Sequence, residues 1–234
     1  FEIFLIKSDK KYIDSYVVLT EYMKKALDIK VPSIVIEGVS TNLFEDINIE
    51  KKEKAHKTIV YTGGIYEKYG VLLLLEAFKR LKSKNYRLIF CGTGDAEKEI
   101  IEYAKMDNRV VFKGLIERSK VLEIQKNATL LVNPRPNNEE FTKYSFPSKI
   151  LEYLSSGTPV LSYKLDGIPN EYFKYIYTIQ EGDDGLYNSL NYVLTRPEDE
   201  LRKRGIAGKE FVMNKKSNIV QTAKILQMID SMNS

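Results

Sequence analysis

The chain has 234 residues, of which 43% are hydrophobic and 29% are charged, and its 36 basic and 32 acidic side chains leave a net charge of +4. This size and composition are typical of a globular protein with one large core or slightly more than one domain. Charges that are this interspersed argue against a nucleic-acid-binding protein. The single Cys91 excludes an intramolecular disulfide and favours a reducing compartment, so the expected location is the cytoplasm. One Cys and one His also exclude a Cys/His metal cluster.

The first part of the chain predicts a strand, a helix and a second strand. Residues 15–20 have the apolar content of a buried strand, and residues 21–27 are helical in pattern, with Thr20 as the expected N-cap. The next apolar run, 34–38, is interpreted as the first strand of a following domain. Residues 45–57 are rich in charge and lack periodicity, which is typical of a loop or linker.

From residue 58 onward, strand patterns alternate with helical ones. Strands are predicted at 58–62, 87–91, 110–112, 130–133, 159–162 and 175–179, and helices at 71–83, 96–105, 119–127, 149–156, 184–194 and 198–232. This alternation predicts an α/β fold with a parallel, doubly wound sheet and helices on both faces. In the tail, apolar residues at helical spacing predict a helix with one buried face: Ile219, Ala223, Leu226 and Ile229.

Three turns that contain glycine follow predicted strands. They lie at Gly63–Gly64, at Gly92–Gly94 and at 114–116. The turns therefore meet at the carboxyl edge of the sheet, where ligands bind in open α/β folds. Glycine there allows a phosphate or a sugar to approach the backbone closely. Each pattern also occurs in ordinary tight turns, so both a binding and a purely structural interpretation stay open.

The most informative segment is 144–161. It predicts a polar loop, a short helix, a glycine stop and an apolar strand. Pro147 suits a first helical turn, Ser148 is the expected cap, and Gly157 is the expected left-handed stop.

Two charged side chains share one face of this predicted helix, because Lys149 and Glu152 are three positions apart near its N-terminus. A helix N-terminus with a lysine nearby favours a phosphate. A carboxylate can accept hydrogen bonds from both hydroxyls of a ribose. The segment therefore predicts binding of a sugar nucleotide.

The segment closely resembles the donor-binding domain of retaining glycosyltransferases of the GT-B fold, family 4. It is most similar to the bacterial capsule and exopolysaccharide branch, in which a Ser-Phe-Pro-Ser-Lys type motif precedes the glutamate. The resemblance continues through residues 61–71, 90–95 and 167–172 and spans most of the chain. It implies transfer of a sugar from a nucleoside diphosphate sugar to a saccharide or lipid-linked acceptor, with retained anomeric configuration and without a metal or other cofactor.

The resemblance also implies a division of the chain. Residues 1–31 would be a remnant of the N-terminal, acceptor-binding domain, residues 32–215 the nucleotide-sugar-binding domain, and residues 216–234 a terminal helix that crosses back to the first domain. On this interpretation the chain is a piece of a longer polypeptide, inactive by itself, whose missing N-terminal domain is its partner. Peripheral association of that domain with the inner face of the membrane is the alternative to a purely cytoplasmic location.

The predicted site residues follow from the same resemblance. Lys149 and Glu152 are the predicted catalytic residues, with Glu152 on the ribose. The predicted substrate-binding residues lie in the turns and just before the helix: Gly63, Gly64, Lys68, Gly92, Gly94, Leu115, Ile116, Arg135, Ser145, Phe146, Pro147 and Ser148.

The chain departs from the family pattern where the donor diphosphate is held. Many members carry Arg and Lys at the positions of Gly64 and Tyr69, and the first of two family glutamates falls at Tyr144. We infer that the lost positive charge has moved to Lys149 and Arg135, because Arg and Lys both bind phosphate oxygens. The alternative for Arg135 is an exposed loop arginine.

Two other functions are compatible with the sequence. One is a sugar-nucleotide epimerase that shares the GT-B fold, against which the motif Phe146-Pro-Ser-Lys argues. The other is a non-catalytic α/β module in a polysaccharide-assembly complex, which binding of a nucleoside diphosphate would exclude.

Overall fold

A computed structural model describes residues 10–45, 47 and 56–232. The strands are β1 (Tyr16–Val18), β2 (Ser33–Val35), β3 (Lys57–Thr62), β4 (Tyr86–Cys91), β5 (Val110–Phe112), β6 (Leu130–Asn133), β7 (Val160–Ser162) and β8 (Tyr177–Thr178). The helices are α1 (Glu21–Ala26), α2 (Val71–Lys79), α3 (Glu97–Met106), α4 (Arg118–Asn127), α5 (Lys149–Ser155), α6 (Gly185–Leu194), α7 (Glu198–Lys215) and α8 (Asn218–Asp230). Short 3-10 turns lie at Lys10–Tyr12, Glu67–Tyr69, Glu140–Lys143 and Asn170–Lys174.

Six strands form one parallel sheet in the order β5-β4-β3-β6-β7-β8. The chain runs outward from β3 to β5, returns to place β6 beside β3, and then runs outward on the other side. The point where the order reverses lies between β3 and β6, and ligands bind at such a point in open α/β sheets. The predicted doubly wound α/β fold is confirmed.

The sheet is buried on both faces. Ile59 and Tyr61 of β3 pack into one hydrophobic cluster, which includes residues of α2 and α6. The residue between them, Val60, packs into a second cluster, which includes residues of α5 and α7. Since successive strand residues point to opposite faces, a strand covered on both sides has to be apolar throughout. The central strands are therefore continuous apolar runs in the sequence.

Residues 34–38, predicted to be the first strand of the following domain, do not join the six-stranded sheet. Strand β2 pairs in parallel with β1, with Tyr16 opposite Ser33 and Val18 opposite Val35, in a separate two-stranded sheet. Both strands are short and apolar, so their composition does not reveal which sheet they join. The division of the chain at residue 32 stays a prediction.

The tail divides into two helices at Ser217, whose hydroxyl caps the first turn of α8. The prediction that α8 buries its apolar face is wrong for the described chain, since Ile219, Leu226 and Ile229 are 77%, 55% and 40% exposed and Ala223 is exposed as well. Helical spacing identifies a one-sided helix, but it does not supply the surface that would cover that side. None of the described helices combines the length and apolar content needed to span a membrane.

Local signals at the helix ends are mostly confirmed. Thr20 accepts a hydrogen bond from a backbone N–H in the first turn of α1, and Gly157, with φ of 78°, follows α5 as its left-handed stop. The predicted cap at Ser148 is wrong, because this residue is already helical and its side chain makes no capping bond. Helical hydrogen bonding begins earlier, where the carbonyl of Pro147 accepts from the N–H of Ile150 at 2.8 Å.

The glycine turns at the carboxyl edge hold one another in place. The N–H of Gly63 donates to the carbonyl of Cys91 at 2.9 Å, and the N–H of Gly92 donates to the carbonyl of Gly114 at 2.8 Å. A Cβ at Gly92, whose φ is 137°, would lie only 1.8 Å from the carbonyl oxygen of Gly63. The ends of β3 and β4 can therefore approach this closely only if residue 92 is glycine.

We expect Gly92→Ala to destabilise the fold far more than Gly182→Ala. Both glycines have positive φ, but a Cβ at Gly182 would meet nothing within 4 Å. Backbone strain at Gly182 should cost about 1–2 kcal/mol in the free energy of unfolding. The additional clash at Gly92 should raise the loss to roughly 3 kcal/mol or more. Urea unfolding of both variants measures the difference, and equal losses would contradict the close packing of the two turns.

Candidate active site

A cavity of about 1020 Å³ opens at the carboxyl ends of β3, β4 and β6. Thr62, Cys91 and Asn133, the last residues of these strands, line it. Most of the predicted site residues line it as well: Gly63, Gly64, Gly92, Leu115, Ile116, Arg135, Phe146, Pro147, Ser148, Lys149 and Glu152. The topology therefore brings together residues that are far apart in the sequence.

Three predicted residues do not line this cavity. The ammonium group of Lys68 lies 5.5 Å from the ring centroid of Tyr69, which is itself a lining residue. The hydroxyl of Ser145 accepts a hydrogen bond from Arg135 at 3.3 Å. Gly94 packs against the backbone of Ile65, where a Cβ would lie 2.2 Å from the carbonyl oxygen. Lys68 and Ser145 adjoin lining side chains, whereas Gly94 supports the turn.

Lys149 is the first residue of α5 and directs its ammonium group at the glycine turn after β3. Its Nζ donates to the hydroxyl of Tyr61 at 2.8 Å and lies 4.0 Å from the centroid of that ring. A Cβ at Gly63 would be 3.3 Å from Nζ. Burial, followed by the charge of Arg135, lowers the pKa of Lys149 to about 7. The side chain can therefore change its protonation state near neutral pH.

Arg135 is buried, with only 9% of its surface exposed. Its guanidinium group lies 4.2 Å from the ring centroid of Phe141 and 5.5 Å from that of Tyr69. Burial lowers the pKa of Arg135, and its Nε has no hydrogen-bond partner among the described residues. The interpretation as an exposed loop arginine is wrong. A buried cation with an unused donor is suited to an anionic ligand.

Both carboxylate oxygens of Glu152 have partners. Oε1 accepts from Nε2 of Gln125 at 2.6 Å, and Oε2 accepts from Arg118 at 3.0 Å. Sequence analysis missed both partners. Arg118 could have been predicted, because it directly follows the turn at 114–116, which was expected to lie at the carboxyl edge of the sheet. Gln125 could not have been predicted, because most glutamines in helices are surface residues and the sequence does not distinguish this one from them.

Two buried tyrosines also belong to the site, and sequence analysis missed them because they read as core aromatics. Tyr61 donates to the carbonyl of Gly64 at 2.7 Å, and the hydroxyl of Tyr153 accepts from the backbone N–H of Thr62 at 2.8 Å. Burial raises the pKa of Tyr61 and of Tyr153, so both stay neutral. The two hydroxyls fix the backbone at the end of β3, on either side of Gly63.

The cavity thus combines one carboxylate, Glu152, with three basic side chains, of which Arg118 is paired with Glu152 while Lys149 and Arg135 are not. Lys149 and Arg135 can bind a multiply charged anion, and Glu152 can accept from neighbouring hydroxyl groups. In the described part of the chain, no group of three or more His, Cys, Asp and Glu side chains could hold a metal ion. The arrangement suits a ligand that carries both phosphates and a diol.

Comparison with solved structures shows the same fold in several proteins. TarM, from S. aureus, has 19% identity and a TM-score of 0.73, and the match covers 97% of this chain and 45% of TarM. A glycosyltransferase from Rickettsia africae ESF-5 has 18% identity and a TM-score of 0.71, with 97% of this chain and 67% of that protein covered. Anabaena Alr3699/HepE in complex with UDP has 13% identity and a TM-score of 0.74, and the match covers 99% of this chain and 68% of that protein. The chain therefore spans less than half of the length of TarM.

A comparison with the sequences of curated proteins finds no match. The family model described as "Glycosyl transferases group 1" matches residues 56–198, which is more than half of the chain. This range contains the six-stranded sheet and the side chains that bring charge to the cavity. On this evidence the chain belongs to the group 1 glycosyl transferases and has the GT-B type of α/β fold.

Proposed function

We propose that this chain is the donor-binding part of a retaining glycosyltransferase of family 4, of the capsule or exopolysaccharide type. It takes a sugar, of the hexosyl class, from a nucleoside diphosphate sugar and transfers it to a saccharide or lipid-linked acceptor. The observation that carries the proposal is the convergence of Lys149, Arg135 and Glu152 on one cavity at the topological switch point.

The cationic pair is assigned to the donor diphosphate. This group gains negative charge as the bond to the sugar breaks, and positive groups already in place stabilise it electrostatically. The Nζ of Lys149 lies beside the Gly63–Gly64 turn, where many family members have an arginine. Arg135 supplies a second cation to the same cavity. Because two cationic side chains already face the diphosphate, we propose that binding requires no metal.

The carboxylate of Glu152 is assigned to the ribose hydroxyls. Among the residues that the structure describes, Arg118 alone bonds to its Oε2, and the side chain of Arg118 is 65% exposed. An exposed ion pair of this kind is weak because water competes for both charges. A ribose diol can therefore take the place of Arg118 at little cost.

The base is not determined by these contacts, and relatives suggest which nucleotide to test first. Alr3699/HepE was solved in complex with UDP and glucose, and a TarM variant was solved with Fondaparinux, alpha-GlcNAc-glycerol and UDP. UDP is therefore the first ligand to test on this chain.

The acceptor site and the general base are assigned to an N-terminal domain that pairs with this chain. Two surfaces suit such a partner because they expose apolar side chains: Ile219 and Leu226 on α8, and Val17 and Leu19 in and after β1. The donor cavity also has a wall formed by residues 38–41, which follow β2. The proposed location is the cytoplasm or the inner face of the membrane, where such a domain would meet a lipid-linked acceptor.

Glu152→Gln should weaken the binding of a nucleoside diphosphate by about ten-fold or more, since a charge-assisted hydrogen bond to ribose contributes roughly 1.5–3 kcal/mol. Calorimetry with UDP, GDP and ADP on the wild type and the variant measures this loss. The melting temperature should change little, because the Arg118 pair that is lost is exposed. If none of the three ligands binds the wild type, the donor-binding proposal is contradicted.

Lys149→Ala should weaken UDP much more than uridine, because only the diphosphate carries the charge that Lys149 contacts. The loss should shrink as the salt concentration rises, since salt screens the attraction. The matched control for net charge is Lys105→Ala. Lys105 is an exposed lysine at the C-terminal end of α3 and does not line the cavity, so its loss should leave both affinities unchanged. Equal losses for UDP and uridine would assign Lys149 to packing instead.

Binding of UDP should also be coupled to proton uptake. The pKa of Lys149 is about 7 in the free protein, so its amine is mostly neutral at about pH 8. A bound diphosphate favours the ammonium form and raises this pKa, so the complex takes up a proton. Calorimetry in buffers of different ionisation enthalpy measures the uptake. It should disappear in Lys149→Gln, and an unchanged uptake in that variant would assign the proton to another group.

A further inference from the structure

The glutamine behind the proposed ribose site is a fully buried polar side chain. Gln125 has 0% of its surface exposed. Its Nε2 donates to Oγ1 of Thr62 at 2.8 Å and to Oε1 of Glu152 at 2.6 Å. Gln125 does not line the cavity. It can therefore act on a ligand only through the residues that it holds.

The orientation of this amide is determined by its neighbours. Only the amide nitrogen can face the Glu152 carboxylate, because a carbonyl oxygen there would be repelled. Nε2 donates one hydrogen to Thr62 and the other to Glu152. The hydroxyl of Thr62 donates in turn to the hydroxyl of Tyr153 at 3.2 Å. The Tyr153 hydroxyl is anchored on the backbone N–H of Thr62 at 2.8 Å. A chain of buried hydrogen bonds thus runs from the end of β3 to the carboxylate.

The two oxygens of Glu152 are held unequally. Oε1 is bonded to a fully buried amide, whereas Oε2 is bonded to the exposed Arg118. Water competes with the second bond and not with the first. A ligand that displaced Arg118 from Oε2 would leave the buried bond to Oε1 intact, so Gln125 would set the direction of the carboxylate.

We propose that Gln125 is a positioning residue that aims the Glu152 carboxylate at the ribose hydroxyls and thereby makes the site selective for ribonucleotides over deoxyribonucleotides. This inference rests on the proposed function of Glu152. It assigns the selectivity to a side chain that does not touch the ligand.

The experiment measures selectivity rather than affinity alone. The 234-residue chain is titrated with UDP, GDP and ADP, and the tightest of these is compared with its 2′-deoxy counterpart. Gln125→Met keeps the length of the side chain and removes its donors. We expect the preference for the ribonucleotide to fall by at least about five-fold, towards equality, while the affinity for inorganic pyrophosphate is unchanged.

Three further variants distinguish the positioning role from a general loss of structure. Gln221→Met removes another buried amide, which donates to the carbonyl of Gly38 at 3.0 Å, and should keep the ribose preference. Gln125→Glu retains the shape of the side chain but places an acceptor against Glu152, so it should lose the preference even if the methionine variant does not fold. Gln125→Glu combined with Glu152→Gln should lose no more selectivity than either change alone, because the two residues act as one unit.

The possible failures can be told apart. A wild type that binds none of the ribonucleoside diphosphates overturns the proposed function together with the role of Gln125. A wild type that binds UDP, GDP or ADP without a ribose preference overturns the ribose assignment of Glu152 and this inference with it. A preference that survives in both Gln125 variants overturns the positioning role alone.

Discussion

The charged form of Lys149 is disfavoured in the free protein, because burial and the positive charge of Arg135 both lower its pKa, and burial also lowers the pKa of Arg135. Aromatic faces compensate in part, since the Lys149 ammonium lies 4.0 Å from the centroid of Tyr61 and the Arg135 guanidinium 4.2 Å from that of Phe141. Cation–π contacts of this type are attractive but weaker than a full counter-charge. An anion placed between the two groups would remove the remaining cost. These contacts support the proposed binding of a negatively charged ligand.

The position of Lys149 depends on the packing of α5. The helix is only seven residues long, and most of it is buried between the sheet and α7. A Cβ at Gly205 of α7 would lie 2.1 Å from the carbonyl oxygen of Gly157, and one at Gly208 would lie 2.8 Å from Leu154. These two glycines let α7 approach closely enough to hold the helix that carries both Lys149 and Glu152. A site built on a rigid element can direct its side chains accurately.

The wall of the cavity that follows β2 is held by a buried ion cluster. Lys216, between α7 and α8, lies 2.5 Å from Glu37 and 2.6 Å from Glu171. Burial by itself would raise the pKa of Glu37, but hydrogen bonds from Lys216 and Tyr172 hold that pKa below its ordinary value. Since loss of one partner would leave a buried charge unpaired, the cluster couples the segment 38–41 to the junction of the last two helices. The cavity rim is therefore attached directly to the junction of α7 and α8.

The sequence by itself determined the alternation of strands and helices, the doubly wound sheet and most of the residues around the cavity. These depend on local patterns: apolar runs, glycine after strands, and the segment that contains Lys149 and Glu152. Only the tertiary structure decided that β2 joins β1, that the apolar face of α8 is exposed, that Arg135 is buried, and that Gln125 holds Glu152. Each of these depends on which surfaces meet, and pairs such as Gln125 with Glu152 are far apart in the chain. A periodic pattern records how a segment folds, whereas burial and hydrogen bonding are set by the neighbours that the whole fold supplies.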